Sequence, residues 1–161
     1  LNEYKAALEM RGNRDNGRKV YQRACAQCHT TQGTAPGSEY QAREQSPTES
    51  YGPDLGTVLN RSPMWLMTQI IVPNKTIADG YEQWFITTSE GNTVSGVIAS
   101  ETPTSVTVRN MTGQTTTIAR SDIENMKASD VSAMPPGLEN QISKQEMADL
   151  LAYLMEVQTV Y

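Results

Sequence analysis

Histidine and cysteine are scarce in this chain, whose 161 residues include one histidine and two cysteines. A structural zinc site needs four ligands, usually from two separated pairs of Cys or His, and three such residues are too few. Hydrophobic residues make up 37% of the chain, and no apolar run approaches the roughly 18 to 20 residues that a membrane span requires. We therefore expect neither a zinc-stabilised fold nor a membrane span in this chain.

Basic residues are also fewer than acidic ones. The chain has 18 acidic and 13 basic residues, which gives a formal net charge of −5. Because nucleic acids attract clusters of Lys and Arg, this balance disfavours a nucleic-acid partner. The length fits one domain, or one domain with an inserted module.

The scarce residues are concentrated in one pentapeptide, C-x-x-C-H, formed by Cys25, Cys28 and His29. This spacing is the attachment signature of c-type haem, in which two thiols add to the vinyl groups and the adjacent imidazole takes an axial iron position. A thioredoxin-like redox pair also has C-x-x-C, but no βαβ pattern surrounds this one and His29 would have no role. We therefore predict one covalently attached haem c, with its iron bound by His29.

Covalent haem attachment indicates the periplasm or another compartment outside the cytoplasm. The chain begins at Leu1, with neither an initiator methionine nor a signal peptide. We expect either that a leader was removed or that the chain is a fragment of a longer protein.

Helical patterns occur at both ends of the chain. Residues 2–10 indicate a short helix, and Asn13 is a good N-cap for a helix to about Cys28 that carries the apolar residues and both thiols on one face. Tyr21 on that face is interpreted as a packing residue. Near the other end, Ser143 and Glu146 form a capping box before a helix that reaches about residue 157.

The middle of the chain contains three stretches with different sequence patterns. Residues 30–51 are polar and indicate a long loop, with a short helix around residues 40–44 or a partner surface. A turn at 52–55 precedes a helix that Ser62 caps and that stops before Pro73, in which Trp65 is predicted to line the haem pocket or the core. Runs rich in Thr, Val and Ile then predict strands at 83–89, 93–101, 104–110 and 114–120, followed by a helical turn at 121–126 and a short strand at 127–129.

These patterns predict an α+β fold, with a mainly α haem-binding core and an inserted small antiparallel β module. The core is assigned to residues 1–81 and 130–161, and the β module to residues 82–129.

With no other histidine in the chain, the second iron ligand is expected to be methionine or lysine, unless the sixth site is open. Methionine is preferred among these, and the chain has eight methionines. Met134 is preferred because it lies in a loop before the last helix, where Pro135 and Pro136 stiffen the backbone. Four methionines lie in apolar helical stripes and are predicted to fill the core. These are Met64, Met67, Met147 and Met155. Met10 precedes the haem helix and Met111 lies in a predicted hairpin turn, whereas Met126 is a lesser candidate.

Two axial protein ligands leave no place on the iron for oxygen or peroxide, so this ligand set predicts an electron carrier and not an enzyme. An acidic carrier favours a basic redox partner, with binding that weakens as salt rises. The alternative is a haem peroxidase or a gas sensor with an open or displaceable sixth site. A peroxidase would also need a distal acid–base group, and there is no second histidine to supply it.

The order of the haem helix, the turn from Gly52 to Leu55, the Met134–Pro135 pair and a final helix resembles a class I cytochrome c over nearly the whole chain. More narrowly, residues 73–82, the β segment, and residues 120–123 and 134–138 are similar to the C-terminal haem-binding domain of planctomycete and verrucomicrobial proteins. That resemblance implies a domain at the end of a longer secreted polypeptide, often behind a quinoprotein-dehydrogenase-like propeller.

The resemblance also implies roles for individual residues. The carbonyl of Pro53 would accept a hydrogen bond from Nδ1–H of His29, and Leu55 would pack on the porphyrin. Gly52 and Pro135 would belong to the haem-binding segments beside these residues. The chain departs from the family between His29 and Gly52, where a short glycine-rich connection is usual.

Overall fold

The computed structural model describes residues 1–31, 50–58 and 60–158. Contacts between Cα atoms divide these residues into two units. The first unit holds residues 1–31, 54–58, 60–76 and 135–158 and is helical, whereas the second holds residues 50–53 and 77–134 and contains a β-sheet. The α+β class is therefore confirmed, while the interpretation of the sheet as an inserted module stays a prediction.

Three α-helices form the first unit: α1 (Arg14–Ala24), α2 (Pro63–Ile71) and α3 (Lys144–Val157). The N-terminal segment is a 3-10 helix, Asn2–Leu8, and not the longer helix expected from residues 2–10. Three shorter 3-10 helices join these elements, namely Leu55–Thr57, Pro73–Lys75 and Leu138–Gln141.

The predicted N-caps of the three α-helices are confirmed. The side chain of Asn13 accepts a hydrogen bond from the amide of Asn16, and the side chain of Ser62 accepts one from the amide of Trp65. Ser143 accepts from the amide of Glu146, whose carboxylate accepts from the Ser143 amide at 2.8 Å and so completes the capping box.

Helix α1 packs closely on α3. A Cβ atom added at Gly17 would lie 1.9 Å from the carbonyl oxygen of Asp149, so the two helices meet where only a hydrogen atom fits. The carboxylate of buried Asp149 accepts a hydrogen bond from the Asn13 amide at 2.7 Å, and Arg23 forms a 2.9 Å ion pair with Glu146. The helices are thus held by backbone proximity and by polar contacts near their ends.

A buried apolar cluster, here called the helical core, fills the first unit. It draws on the N-terminal 3-10 helix and on all three α-helices. Its members are Tyr4, Ala7, Val20, Tyr21, Leu66, Met67, Ile142, Met147, Ala148, Leu150, Leu151, Leu154 and Val157.

The second unit contains a five-stranded antiparallel sheet. The strands are β1 (Glu82–Thr88), β2 (Thr93–Glu101), β3 (Ser105–Arg109), β4 (Thr115–Ala119) and β5 (Ile123–Ser132). They lie in the spatial order β4-β3-β2-β1-β5. Gly91, between β1 and β2, and Gly113, between β3 and β4, have the positive φ angles that glycine tolerates best.

Strand β5 corrects one prediction. The helical turn expected at 121–126 is limited to the 3-10 helix Arg120–Asp122, and the last strand runs for ten residues instead of three. Pairing explains the difference, because Lys127 and Met126 lie opposite Phe85 and Ile86 of β1 and the ladder continues on both sides of them. Cross-strand hydrogen bonding overrides the local helical signal.

Apolar residues that alternate with polar ones along the strands form a buried cluster in the sheet. Ile86, Val106, Val108 and Ile118 form its centre. Partly buried Val94, Ile98, Ile123 and Met126 pack around them. The short helix considered at residues 40–44 lies outside the described residues, as does most of the predicted loop.

Candidate haem site

The C-x-x-C-H pentapeptide forms a turn directly after α1. The amides of Cys25 and Ala26 both donate to the carbonyl oxygen of Tyr21, at 2.8 and 2.9 Å. The amides of Cys28 and His29 both donate to the carbonyl oxygen of Cys25, at 3.1 and 3.0 Å. The helix predicted to reach Cys28 therefore ends at Ala24, and the turn gives both thiols and the imidazole one compact backbone frame.

Both cysteines are free thiols and are half-buried. Burial raises the pKa of Cys25 to about 11, with a smaller contribution from Cys28, and burial also raises the pKa of Cys28. Redox-active C-x-x-C cysteines have the opposite property, a lowered pKa that keeps a nucleophilic thiolate at neutral pH. The environment of this pair does not favour thioredoxin-like chemistry.

The backbone that leaves the turn is held by two further hydrogen bonds. The hydroxyl of Tyr21 donates to the carbonyl oxygen of His29 at 2.7 Å, and the amide of Leu55 donates to the carbonyl oxygen of Thr30 at 2.8 Å. The second bond joins the pentapeptide to the segment that contains Leu55, a predicted haem contact. The carboxylate of Asp54 accepts a hydrogen bond from the Gly56 amide at 2.8 Å and so fixes the start of that segment.

Sequence reasoning assigned Tyr21 only to packing, and this interpretation was incomplete. Its ring does pack, with its centroid 5.4 Å from that of Tyr153 on α3. Burial raises the pKa of Tyr21 to about 12, so its hydroxyl keeps its proton and can donate at neutral pH. The available sequence signal was its position one helical turn before Cys25, on the face that carries the thiols.

Several partly exposed apolar side chains pack against the helical core. The set includes Cys25 itself, so the attachment turn and these side chains lie on the same core. A porphyrin has two broad apolar faces, and partly exposed side chains of this kind fit such a group. Besides Cys25, the set contains Leu8, Leu55, Val58, Trp65, Ile70, Ile71, Tyr153 and Met155.

Trp65 also contacts a cation. The guanidinium of Arg61 lies 4.7 Å from the centre of the Trp65 ring, and the Arg61 amide donates to the side-chain oxygen of Gln158 at 2.9 Å. These contacts hold one end of α2 against the C-terminal end of α3. The structure therefore places Trp65 at the edge of the helical core, and its contact with haem stays a prediction.

Gly52 and Pro53 belong to the second unit, with Gly52 buried and Pro53 half-buried. The hydroxyl of Ser50 donates to the carbonyl oxygen of Gly52 at 2.5 Å. The hydrogen bond predicted between Pro53 and His29 joins residues of different units and stays a prediction. The same holds for the ligand pair, because Met134 belongs to the second unit and His29 to the first.

Met134 follows β5 and is half-buried, and its amide donates to the hydroxyl of Ser132 at 3.1 Å. Pro135 is exposed. Of the methionines assigned to the core, Met67 and Met147 are fully buried and Met155 packs on the helical core. The assignment of Met64 was wrong, because 40% of its surface is exposed in the first turn of α2.

The other methionines have ordinary surroundings. Met126 packs on the buried cluster in the sheet, whereas Met10 and Met111 are exposed. Among the residues that the structure describes, no three His, Cys, Asp or Glu side chains form a group that could hold a metal ion. In the same part of the chain, no helix is long and apolar enough to cross a membrane.

Comparison with known families identifies the chain. A family model described as cytochrome c matches residues 15–158, which include the C-x-x-C-H turn and the last helix. No curated protein matches the chain. Members of this family bind covalently attached haem c with its iron and act in electron transfer. The chain therefore belongs to the cytochrome c family, and its cofactor is covalent haem c.

Proposed function

We propose that Cys25 and Cys28 attach the haem by thioether bonds and that His29 binds its iron. The observation that carries this proposal is the backbone frame of the turn, which holds the only two cysteines and the only histidine of the chain within one five-residue segment. When bound, the haem supplies an iron that alternates between the ferric and ferrous states. The protein holds the imidazole in place and covers the porphyrin with apolar side chains.

Replacing one thiol tests the attachment. We expect the Cys25→Ser variant to keep one thioether bond through Cys28, because serine cannot add to a vinyl group. The reduced pyridine complex of the variant should then absorb at the longer wavelength of a haem that retains one free vinyl group. A matched Ser50→Ala control should give the wild-type spectrum. A wild-type spectrum for Cys25→Ser would exclude Cys25 as an attachment residue.

The chain acts as a carrier of single electrons, and His29 and Met134 would hold the haem iron. The support for Met134 is its position in a half-buried loop, where the Ser132 hydroxyl fixes its backbone and two prolines follow. A thioether ligand favours the ferrous state and, with both axial positions filled, leaves no room for oxygen chemistry. Pro53 orients His29, while Gly52, Leu55, Trp65 and Pro135 complete the haem surroundings.

The sheet forms a module inserted into the cytochrome c core, between the helix that contains Trp65 and the loop that contains Met134. Supporting this, the longer stretch of the second unit runs from residue 77 to residue 134, and each end lies within five residues of the predicted ends at 82 and 129. The second unit also holds residues 50–53, which the prediction assigned to the core. The inserted module is the feature that links the chain to the planctomycete and verrucomicrobial type of haem-binding domain.

The electron partner is another redox protein outside the cytoplasm, such as a quinoprotein-like dehydrogenase domain upstream in the same polypeptide. The net charge of −5 favours a basic docking surface on that partner. We expect the rate of electron transfer to a separate basic partner to fall as salt rises from about 0.01 M to about 0.15 M, because the Debye length shrinks from about 30 to about 8 Å. Stopped-flow mixing measures this, and a rate independent of salt would contradict the electrostatic part of the proposal.

A further inference from the structure

Tyr21 makes hydrogen bonds to both ends of the attachment turn. Its backbone carbonyl accepts from the amides of Cys25 and Ala26, where the turn begins. Its side-chain hydroxyl donates to the carbonyl of His29, where the turn ends, at 2.7 Å. A single residue of α1 therefore spans the five residues that carry the haem chemistry.

The Tyr21 side chain is itself held rigidly. Only 6% of its surface is exposed, its ring packs on Tyr153 of α3, and the Thr31 side chain hydrogen-bonds its hydroxyl. Because the ring is fixed by the packing of α1 against α3, the hydroxyl is presented to the His29 carbonyl from a fixed point. A donor held in this way costs little side-chain entropy when it forms its bond.

We propose that Tyr21 is a positioning residue for His29, whose hydroxyl ties the end of the attachment turn to the α1–α3 packing. The axial imidazole is attached to the backbone atom next to the carbonyl that Tyr21 holds, so freedom in that backbone becomes freedom in the ligand. The inference rests on the proposed role of His29 as an iron ligand.

The Tyr21→Phe variant of the haem-loaded protein tests this inference, because it keeps the buried ring and removes only the hydroxyl. We expect the amides of Cys28 and His29 to exchange with deuterium about fivefold faster, the factor that corresponds to about 1 kcal/mol for one net hydrogen bond. The NMR signals of the His29 ring protons in the ferric protein should also shift and broaden, because the imidazole then samples several orientations.

Tyr4→Phe provides a matched control. The Tyr4 hydroxyl donates to the carbonyl oxygens of Glu139 and Ile142, at 2.6 and 2.9 Å, so this variant loses a comparable bond within the same helical core. It should lower the melting temperature without changing the exchange of the Cys28 and His29 amides or the His29 ring signals. If Tyr21 had a purely structural role, Tyr21→Phe would also lower the melting temperature without changing these exchange rates or ring signals.

The inference is overturned if Tyr21→Phe leaves both the exchange rates and the His29 ring signals as in the wild type. It is also overturned if Tyr4→Phe changes them equally, because the effect would then reflect general loosening. The spectrum of Cys25→Ser tests separately whether the proposed haem attachment is wrong. A wild-type protein with two thioether bonds and an unaffected Tyr21→Phe variant would refute only the role of Tyr21.

Discussion

The Met134→Ala variant is expected to lose the weak far-red absorption band of the ferric protein that arises from charge transfer between methionine sulfur and iron. Alanine has no sulfur to bind, so the sixth iron position opens. The ferrous variant should then bind carbon monoxide rapidly at neutral pH, whereas the wild-type protein should bind it slowly. Absorption spectra of the two oxidation states, with and without carbon monoxide, provide both measurements.

The exposed Met111, in the hairpin turn between β3 and β4, supplies the matched control, and Met111→Ala should keep the band. A far-red band that persists in Met134→Ala would show that another group binds the iron. Rapid carbon monoxide binding by the wild-type ferrous protein would instead favour the alternative reading, a haem peroxidase or gas sensor with an open or displaceable sixth site.

The Gly17→Ala variant is expected to be strongly destabilised, although alanine is the better helix former. Helix propensity alone would favour the substitution by about 1 kcal/mol. The added Cβ would lie 1.9 Å from the Asp149 carbonyl oxygen and 2.8 Å from Cβ of Tyr153, so α1 and α3 would have to separate. Overpacking of this kind costs typically about 1–3 kcal/mol and sometimes more, and we expect a net loss of about 2 kcal/mol in the free energy of unfolding.

Chemical denaturation of the haem-loaded protein measures this loss as a lower denaturation midpoint. Arg18→Ala is a suitable control, because it also introduces alanine into α1, at the next position, where the side chain is exposed. The free energy of unfolding of Arg18→Ala should lie within about 0.5 kcal/mol of the wild-type value. A Gly17→Ala protein as stable as Arg18→Ala would contradict the close contact between the two helices.

Much of the fold could be predicted because its signals are local. Asn13, Ser62 and Ser143 each accept a hydrogen bond from an amide three residues later, so three residues suffice to locate each helix start. The first four strands also follow from turns and alternating residues. The length of β5 could not be predicted, because it depends on pairing with β1, some forty residues earlier.

The end of α1 and the hydrogen bond to the His29 carbonyl could not be predicted from local sequence patterns either. Helix periodicity continues through Cys28, but the regular α-helix ends at Ala24. The Ala26 amide bonds to a carbonyl five residues earlier, and the Cys28 amide bonds to a carbonyl three residues earlier. The sequence identifies the attachment pentapeptide without identifying the tyrosine that closes it. Met64 was assigned to the core because its neighbours are apolar, yet a residue in the first turn of a helix can face away from the core.

The central claim, that this chain carries haem c on Cys25 and Cys28, is tested most directly by mass spectrometry of the proteolytic peptide that contains residues 25–29. We predict a peptide mass increased by that of one intact haem, with fragment ions that place the addition on both cysteine sulfurs. An unmodified peptide with two free thiols, from protein produced with the cellular machinery for haem attachment, would contradict the account.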